Sequence, residues 1–212
     1  MSWRKGGRDG RGYHHGNLRE ALISAALDLI GQKGPAGVTF AEAARMAGVS
    51  TAAPYRHFRD REALLADVAR QGFEKLSAVL ENAWDGGRPN ATRAFERTGR
   101  AYLGFAREEP AYFASMFESG IPLGSNPQLQ ASADRAFSVL REAAEAAAAG
   151  APEGRRPPAL MVALHIWAMT HGIAALFGRA DGPLRTIPMP PEELLEAGLL
   201  VYLQGLGLGP DS

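Results

Sequence analysis

Apolar residues recur at intervals of three and four along most of this chain, as they do on the buried face of a helix. The first such stretch starts at Asn17, and its apolar stripe is Leu18, Leu22, Ala25, Ala26, Leu29 and Ile30. Asn17 followed by Glu20 is typical of a helix start, and Gly34-Pro35-Ala36-Gly37 predicts the stop. Residues 1–84 show no alternation of period two that would predict a strand.

Three more helices are predicted before residue 85. Thr39-Phe40-Ala41-Glu42 has the form of a capping box and opens a short helix to about Ala47, which Gly48 ends. Ser50 is the predicted cap of a second short helix that reaches Phe58. Asp60 is the predicted cap of a long helix, 60–84, whose inner faces carry Leu64, Leu65, Val68, Leu76, Val79 and Leu80.

Glycine and proline divide the rest of the chain after a predicted linker, Gly86-Gly87-Arg88-Pro89. Five helices are expected: about 90–108, a shorter one from Pro110, 126–150, 159–179 and 191–206. The third ends in an alanine-rich run that favours helix but offers little bulk for packing. The sequence thus predicts an all-α fold of about nine helices.

Composition narrows the class of protein. The chain has 212 residues, 46% of them hydrophobic, and no cysteine, which excludes a disulfide scaffold, a thiol nucleophile and a cysteine-ligated metal. No run of about 18 uncharged apolar residues is identified in the sequence, so no membrane-spanning helix is expected. The N-terminus has basic residues but no apolar region typical of a secretory signal. These features predict a cytoplasmic protein.

The charge is unevenly distributed, although the net charge of the whole chain is +0. Residues 1–70 hold 11 Lys/Arg and 7 Asp/Glu, whereas residues 71–212 hold 12 and 16. The basic first third suits an anionic partner such as nucleic acid, but an ordinary solvated surface gives similar counts. Residues 1–12 are rich in Gly and Arg and are expected to be disordered in isolation. This arm is either a solvated tail or a contact to phosphates or a minor groove.

Val38–Leu65 is the most informative stretch. Two short helices joined by Ala47-Gly48-Val49-Ser50 have the layout of a helix-turn-helix. The second, Ser50–Phe58, has barely two turns and cannot be stable alone. In a helix-turn-helix, this second helix enters the major groove of DNA.

Residues 13–65 resemble the N-terminal DNA-binding domain of the TetR family of transcriptional regulators. The resemblance rests on the first amphipathic helix, the Gly34–Gly37 turn, Thr39, Gly48-Val49-Ser50, Tyr55-Arg56-His57-Phe58 and Arg61-Glu62-Ala63-Leu64-Leu65. It implies a three-helix DNA-binding domain at 13–65, to which the helix 60–84 connects a helical ligand-binding and dimerisation domain at 85–212.

The resemblance also implies DNA contacts. Thr39 caps its helix in any case and would face a phosphate, and Arg61, where members commonly carry Lys, would contact another. Tyr55 is either a core aromatic or a backbone contact, and His57 is either a surface or capping residue or a phosphate donor. Base reading falls to Thr51, Ala52 and Ala53, with Arg56 on a base or a phosphate. The complete predicted set is Thr39, Ser50, Thr51, Ala52, Ala53, Pro54, Tyr55, Arg56, His57 and Arg61.

Pro54 departs from the family pattern, in which many members have Leu or another residue with an N–H donor. With Ser50 as the cap, Pro54 takes the fourth helical position and removes the first intrahelical hydrogen bond. The helix then starts one or two residues later than Ser50 indicates.

Residues His165–Phe177 resemble a C-terminal subgroup of the family called WHG, after its Trp…His-Gly signature. Trp167 and His171 are four residues apart and share a helical face. Gly172 within the helix indicates close approach by another helix or a ligand. The alternative is that Trp167 is core and His171 a satisfied buried histidine.

A ligand pocket and a dimer interface are the remaining expectations. The predicted pocket residues are Phe105, Phe113, Met116, Phe117, Phe137, Trp167 and His171, which suit a small apolar or aromatic ligand, although such residues at helical spacing more often form core. The predicted interface residues, on the last two helices, are Leu164, Ile173, Leu195, Leu199, Tyr202 and Leu203.

The predicted function is a DNA-binding transcriptional repressor that binds a palindromic operator as a homodimer and is released by a small-molecule effector. No cofactor, metal or membrane partner is expected. The alternatives are a ligand-independent DNA-binding regulator and a helical enzyme. The sequence lacks a Gly-rich phosphate loop, an HExxH motif and a GxSxG motif, which disfavours the enzyme.

Overall fold

The computed structural model describes residues 18–151, 154, 156–177 and 188–208, and within them it contains helices and no strand. The helices are α1 Leu18–Lys33, α2 Phe40–Met46, α3 Arg61–Trp84, α4 Ala91–Glu108, α5 Pro110–Phe117, α6 Pro127–Ala149, α7 Ala159–Phe177 and α8 Pro191–Gly205. The all-α prediction is confirmed. The expected count of about nine is one too high for the described residues, because the segment after Ser50 forms only a 3₁₀ turn, Ala53–Arg56. The basic arm and the Asn17 cap lie outside the described residues.

The N-terminal head consists of α1, α2, the 3₁₀ turn and the start of α3. The α1 stripe is buried as predicted except for Leu18, which is half-buried; Leu22 and Ala26 are fully enclosed. The side chain of Thr39 caps α2, because its Oγ1 accepts a hydrogen bond from the Glu42 amide at 3.3 Å. At the other end Gly48 has φ +71°, and the Val49 amide donates to the Ala44 carbonyl at 2.9 Å. A left-handed glycine that closes the helix end in this way is a Schellman motif.

The long helix α3 connects the head with the body. Its cap is Asp60, whose Oδ1 accepts a hydrogen bond from the Ala63 amide at 2.8 Å. The predicted inner residues of α3 are buried except for Val79, which is exposed at a groove between α3 and α4. The rest of α3 packs against α4, α5 and α6.

The body consists of the rest of α3 with α4 to α8, of which α4, α5 and α6 pack directly on α3. Asn90 and Asn126 cap α4 and α6 through their side-chain oxygens. The alanine-rich end of α6 is well packed, contrary to expectation: Ala143, Ala144, Ala147 and Ala148 are buried. Small side chains allow close approach of neighbouring helices, so low bulk does not prevent burial here.

Helix α7 is long and apolar enough to cross a membrane by length and composition alone. The expectation of no such run was therefore wrong, because residues 159–177 contain no Asp, Glu, Lys or Arg. A core helix passes the same test, and α7 packs against α4, α6 and α8. One such helix is weak evidence for a membrane span.

Helix α8 lies against α4. A β-carbon placed on Gly99 of α4 would lie 2.9 Å from Leu195 Cδ2, so the missing side chain makes room for α8. Two ion pairs, Arg107–Glu192 at 2.6 Å and Arg100–Glu196, connect the same helices.

This packing corrects most of the predicted dimer interface. Ile173, Leu195, Leu199 and Leu203 are buried within their own chain and cannot face a partner. Tyr202 is half-buried, and its hydroxyl lies 3.0 Å from Nδ1 of His165. Leu164 is exposed, as are other apolar residues of α7 and α8: Leu160, Leu176, Leu200 and Val201.

Candidate functional site

The segment predicted as the DNA-reading helix is a tight turn, residues 51–57, called here the reading turn. Its 3₁₀ helix starts at Ala53, and Ala52 precedes it without a side-chain cap. The predicted Ser50 cap is therefore not formed; Ser50 instead accepts a hydrogen bond from the Ala53 amide through its carbonyl, at 3.0 Å. Pro54 explains the late start, since proline has no N–H and suits only the first turn of a helix.

Two buried residues hold the reading turn and leave its other side chains exposed. Pro54 and Phe58 are buried, whereas Thr51, Ala52, Tyr55, Arg56 and His57 are exposed and Ala53 is half-buried. Tyr55 is 63% exposed and packs the edge of its ring against Phe40, with centroids 5.0 Å apart. The interpretation of Tyr55 as a core aromatic is thus wrong. The exposed side chains form a surface available to a macromolecule.

Thr39 lies exposed at the start of α2, beside an ion pair. Its hydroxyl donates to Glu42 at 2.7 Å, and Glu42 in turn pairs with Lys33 at 2.6 Å. The hydrogen bonds from Lys33 and then Thr39 lower the pKa of Glu42, so this carboxylate stays ionised. Lys33 therefore compensates a negative charge that would otherwise oppose a phosphate at this helix end.

Arg61 has a structural role that the sequence did not indicate. Its guanidinium donates to the carbonyls of Val38 at 2.7 Å and Pro35 at 2.5 Å. These bonds attach the start of α3 to the turn between α1 and α2. Two of its donors are thus engaged inside the protein, where the family pattern had implied a phosphate contact.

A charged network joins the head to the body. Asp67 of α3 is only 6% exposed, and its Oδ1 accepts from Arg19 of α1 at 2.8 Å and from Arg70 at 2.9 Å. Arg70 also pairs with Glu74 at 2.6 Å, and Ser132 of α6 lies 3.4 Å from Glu74. Arg19 further stacks over Phe58, 5.6 Å from the ring centroid. The base of the reading turn, α1, α3 and α6 are therefore in one continuous set of contacts.

The body contains an apolar pocket of about 310 Å³ between α3, α5, α6 and α7. Four of the predicted ligand residues line it: Met116, Phe117, Phe137 and Trp167. Leu164, predicted as an interface residue, also lines it. The sequence interpretation missed the α3 wall, Phe73, Leu76 and Leu80. The apolar spacing along α3 was the available signal, but it was assigned entirely to core.

Three predicted ligand residues do not line the pocket. Phe105 is buried at the groove between α3 and α4. His171 and Phe113 lie behind the pocket wall, stacked with ring centroids 5.4 Å apart, and both contact Phe117. They support the wall without lining the space.

His171 belongs to a neutral hydrogen-bonded pair. Its Nδ1 lies 2.8 Å from the hydroxyl of Tyr102. Burial lowers the pKa of His171, with Glu118 opposing the shift, and burial raises the pKa of Tyr102. Both groups are therefore uncharged near neutral pH. No cluster of His, Asp or Glu that could hold a metal occurs among the described residues.

The glycine of the Trp…His-Gly signature is not approached by another helix among the described residues of its own chain. Trp167 and His171 do share a helical face, with ring centroids 6.0 Å apart. A β-carbon on Gly172, however, would meet nothing within 4 Å. Close approaches between helices occur instead at Gly72, Gly99 and Gly198. At Gly198 an added β-carbon would lie 2.6 Å from the sulfur of Met169.

Comparison with known families identifies the class of protein. Residues 22–68 match the bacterial regulatory proteins of the tetR family, and residues 95–202 match the tetracyclin repressor-like C-terminal domain. The chain belongs to the TetR family of DNA-binding transcriptional regulators, which are generally not enzymes.

Individual relatives agree with this assignment. A protein of unknown function from Rhodococcus sp. RHA1 is 33% identical, with 92% of this chain and 98% of that one covered and a TM-score of 0.75. The TetR family transcriptional regulator PfmR from Thermus thermophilus is 22% identical, with 86% and 97% covered and a TM-score of 0.67, and shows the fold. The HTH-type transcriptional regulator BetI of Rhizobium meliloti (strain 1021) is 45% identical over 58 residues, which span 27% of this chain and only 29% of BetI.

Proposed function

We propose that this protein is a cytoplasmic repressor that binds a palindromic operator as a homodimer and leaves it when a small apolar or aromatic ligand fills the pocket. One observation carries the proposal: α3 begins directly after the exposed reading turn and its Phe58 anchor, and forms a wall of the pocket further along. A regulator that responds to a ligand needs both surfaces and an element that reaches both.

The proposed DNA surface follows from exposure and chemistry. Thr51, Ala52 and Ala53 offer methyl groups to thymine, and Arg56 reaches a guanine or a phosphate. Thr39, Ser50, Tyr55 and His57 are proposed as contacts to the DNA backbone. Pro54 sets the start of the 3₁₀ turn, and Arg61 holds the turn between α1 and α2 behind this surface.

The proposed dimer forms through the exposed faces of α7 and α8. Leu160, Leu164, Leu176, Leu200 and Val201 give these helices more exposed apolar surface than single scattered residues would. A two-fold pair brings two reading turns to half-sites about 34–36 Å apart, or a multiple of that distance. Hence we propose a palindromic site.

Release follows from a population shift. The dimer exchanges between conformations that differ in the distance between its two N-terminal heads, and the operator binds the conformation whose distance matches its half-sites. A ligand that binds better to a conformation with another distance between the heads lowers the affinity for DNA. The size of this decrease is limited by the difference between the ligand's affinities for the two conformations. We also assign the C-terminal domain to the WHG subgroup, supported by the shared face of Trp167 and His171.

The test is selection of bound fragments from random duplex DNA, followed by addition of apolar and aromatic compounds to the complex. We expect recovery of a palindrome and release of the DNA by compounds that raise the thermal stability of the free protein. Recovery of single half-sites would contradict the dimer. An operator complex that no stabilising compound releases would favour a ligand-independent regulator.

A further inference from the structure

Among the described residues that line the pocket, one is charged. Asp134 of α6 is exposed and takes part in the lining, where all the other lining residues are aliphatic, aromatic or methionine. Of these lining residues, Leu123 and Leu164 are also exposed, whereas Leu76, Leu80 and Met116 are buried. The carboxylate therefore lies at the mouth of the pocket, and the floor is apolar.

The carboxylate of Asp134 is held in place but not saturated. Gln130, one turn earlier on α6, donates to its Oδ1 at 2.7 Å. An ionised carboxylate has two oxygens with about four acceptor positions, so this bond leaves capacity for a donor on a ligand.

Aromatic rings stand beside this carboxylate. Phe137 is three residues after Asp134 on the same face of α6, and its ring meets that of Trp167 edge to face at 5.9 Å. The faces of aromatic rings attract ammonium groups, and a neighbouring carboxylate adds to that attraction. An anionic ligand end at the same mouth would meet repulsion from Asp134 instead.

We infer that the effector is a lipophilic molecule with one positively charged end, an amine or a quaternary ammonium compound, and that Asp134 selects it against lipophilic anions. This inference rests on the proposed ligand pocket. The apolar body of the ligand fills the space lined by α3 and α5, and its cationic end remains at the mouth between Asp134 and the aromatic pair.

Three probes have a similar alkyl chain and differ in the charge of their polar end: decyltrimethylammonium, 1-decanol and decanoate. Their affinities for the full-length protein are measured by calorimetry for the wild type and for Asp134→Asn, which removes the charge and keeps the shape. We expect the substitution to weaken binding of the cation roughly two- to five-fold, to leave the alcohol unchanged and to strengthen the anion by a similar factor, as for an exposed ion pair. Asp134→Lys should make the anion the tightest of the three.

A matched control is Glu142→Gln, which removes one negative charge from an exposed position of the same helix outside the pocket lining. It should leave all three affinities at the wild-type values. If the probes bind but Asp134→Asn changes them no more than Glu142→Gln does, the charge selection is wrong and the ligand pocket stands. If none of the probes binds to the wild type, both the inference and the proposed ligand pocket are contradicted.

Discussion

The reading turn and the ligand pocket differ in how their functional side chains relate to the core. In the reading turn, Thr51 and Arg56 are exposed, and Phe58 beneath them supplies the support. In the pocket, Leu76 and Leu80 line the ligand space and are core residues themselves. A substitution can therefore change DNA preference without a cost in folding, whereas most changes of the pocket affect stability and binding together.

The sharpest test of this difference compares two phenylalanines. Phe58→Ala removes a buried ring under the reading turn and should reduce the free energy of unfolding by about 3–5 kcal/mol. Phe137→Ala, at a half-buried ring of the pocket, should cost less and weaken ligand binding while DNA affinity remains. Urea unfolding of both variants measures the costs. Equal losses in the free energy of unfolding for the two variants would contradict the distinction between a buried residue that supports a functional surface and a residue that forms one.

Arg61→Ala should have the next largest effect. It removes the donors to the Val38 and Pro35 carbonyls, so we expect a loss of about 1–3 kcal/mol in the free energy of unfolding. The salt dependence of DNA binding should keep its slope. Arg59→Ala is the control, because this exposed side chain pairs with the carboxylate of the neighbouring Asp60 and does not connect separate elements.

A different outcome for Arg61→Ala would restore the family expectation. A slope reduced by about one, with unfolding unchanged, would show that Arg61 neutralises a phosphate. The carbonyl contacts would then be incidental.

His171 predicts how stability depends on pH. Burial lowers its pKa in the folded state below the ordinary value of 6.5. Below pH 6.5 the unfolded chain therefore binds a proton at this residue that the folded chain does not yet bind. The free energy of unfolding falls as the pH drops through about 6.5, and it levels off below the folded-state pKa. Urea unfolding at pH 7.5 and 5.5 should show a smaller difference for His171→Gln than for the wild type.

Thr51→Ala should have the smallest effect on folding. The side chain is exposed, so the free energy of unfolding should stay within about 0.5 kcal/mol of the wild type. The base-preference profile should nevertheless change at one position of each half-site. An unchanged profile in a fragment selection would mean that the reading surface is assigned to the wrong residues.

Helix starts were predictable because capping is a local property. Thr39 and Asp60 each place a side-chain oxygen next to free amide groups, and each was identified from a few neighbouring residues. The reading helix was not predictable in its form, because Ser50 and Pro54 gave opposite local signals. Pro54 correctly predicted a start later than Ser50, but the structure was needed to show that the segment forms only a 3₁₀ turn.

Tertiary contacts limited the remaining predictions. Helix α8 is apolar around much of its circumference, so the sequence could not tell which leucines meet α4 and which meet solvent. Gly99 determines this, since Leu195 fits where it has no side chain. Asp134 gave no signal either, because an acidic residue on a helix is ordinarily solvated. Its position at the pocket mouth depends on how α5 and α7, which are distant from it in sequence, pack around the pocket.

The buried carboxylate of Asp67 has a consequence for motion. Its Oδ2 is enclosed and meets no hydrogen-bond partner in the part of the chain that the structure describes, while Oδ1 accepts from Arg19 of α1 and from Arg70 of its own helix. Separating Asp67 from Arg19 would leave this buried carboxylate with the Arg70 contact alone to balance its charge, which is costly. The head is thus fastened to the first turns of α3, and under the proposed mechanism the two move together as a rigid lever. Under the proposed mechanism, a ligand changes how far apart two such levers stand, and the shape of the surface that each offers to DNA is preserved.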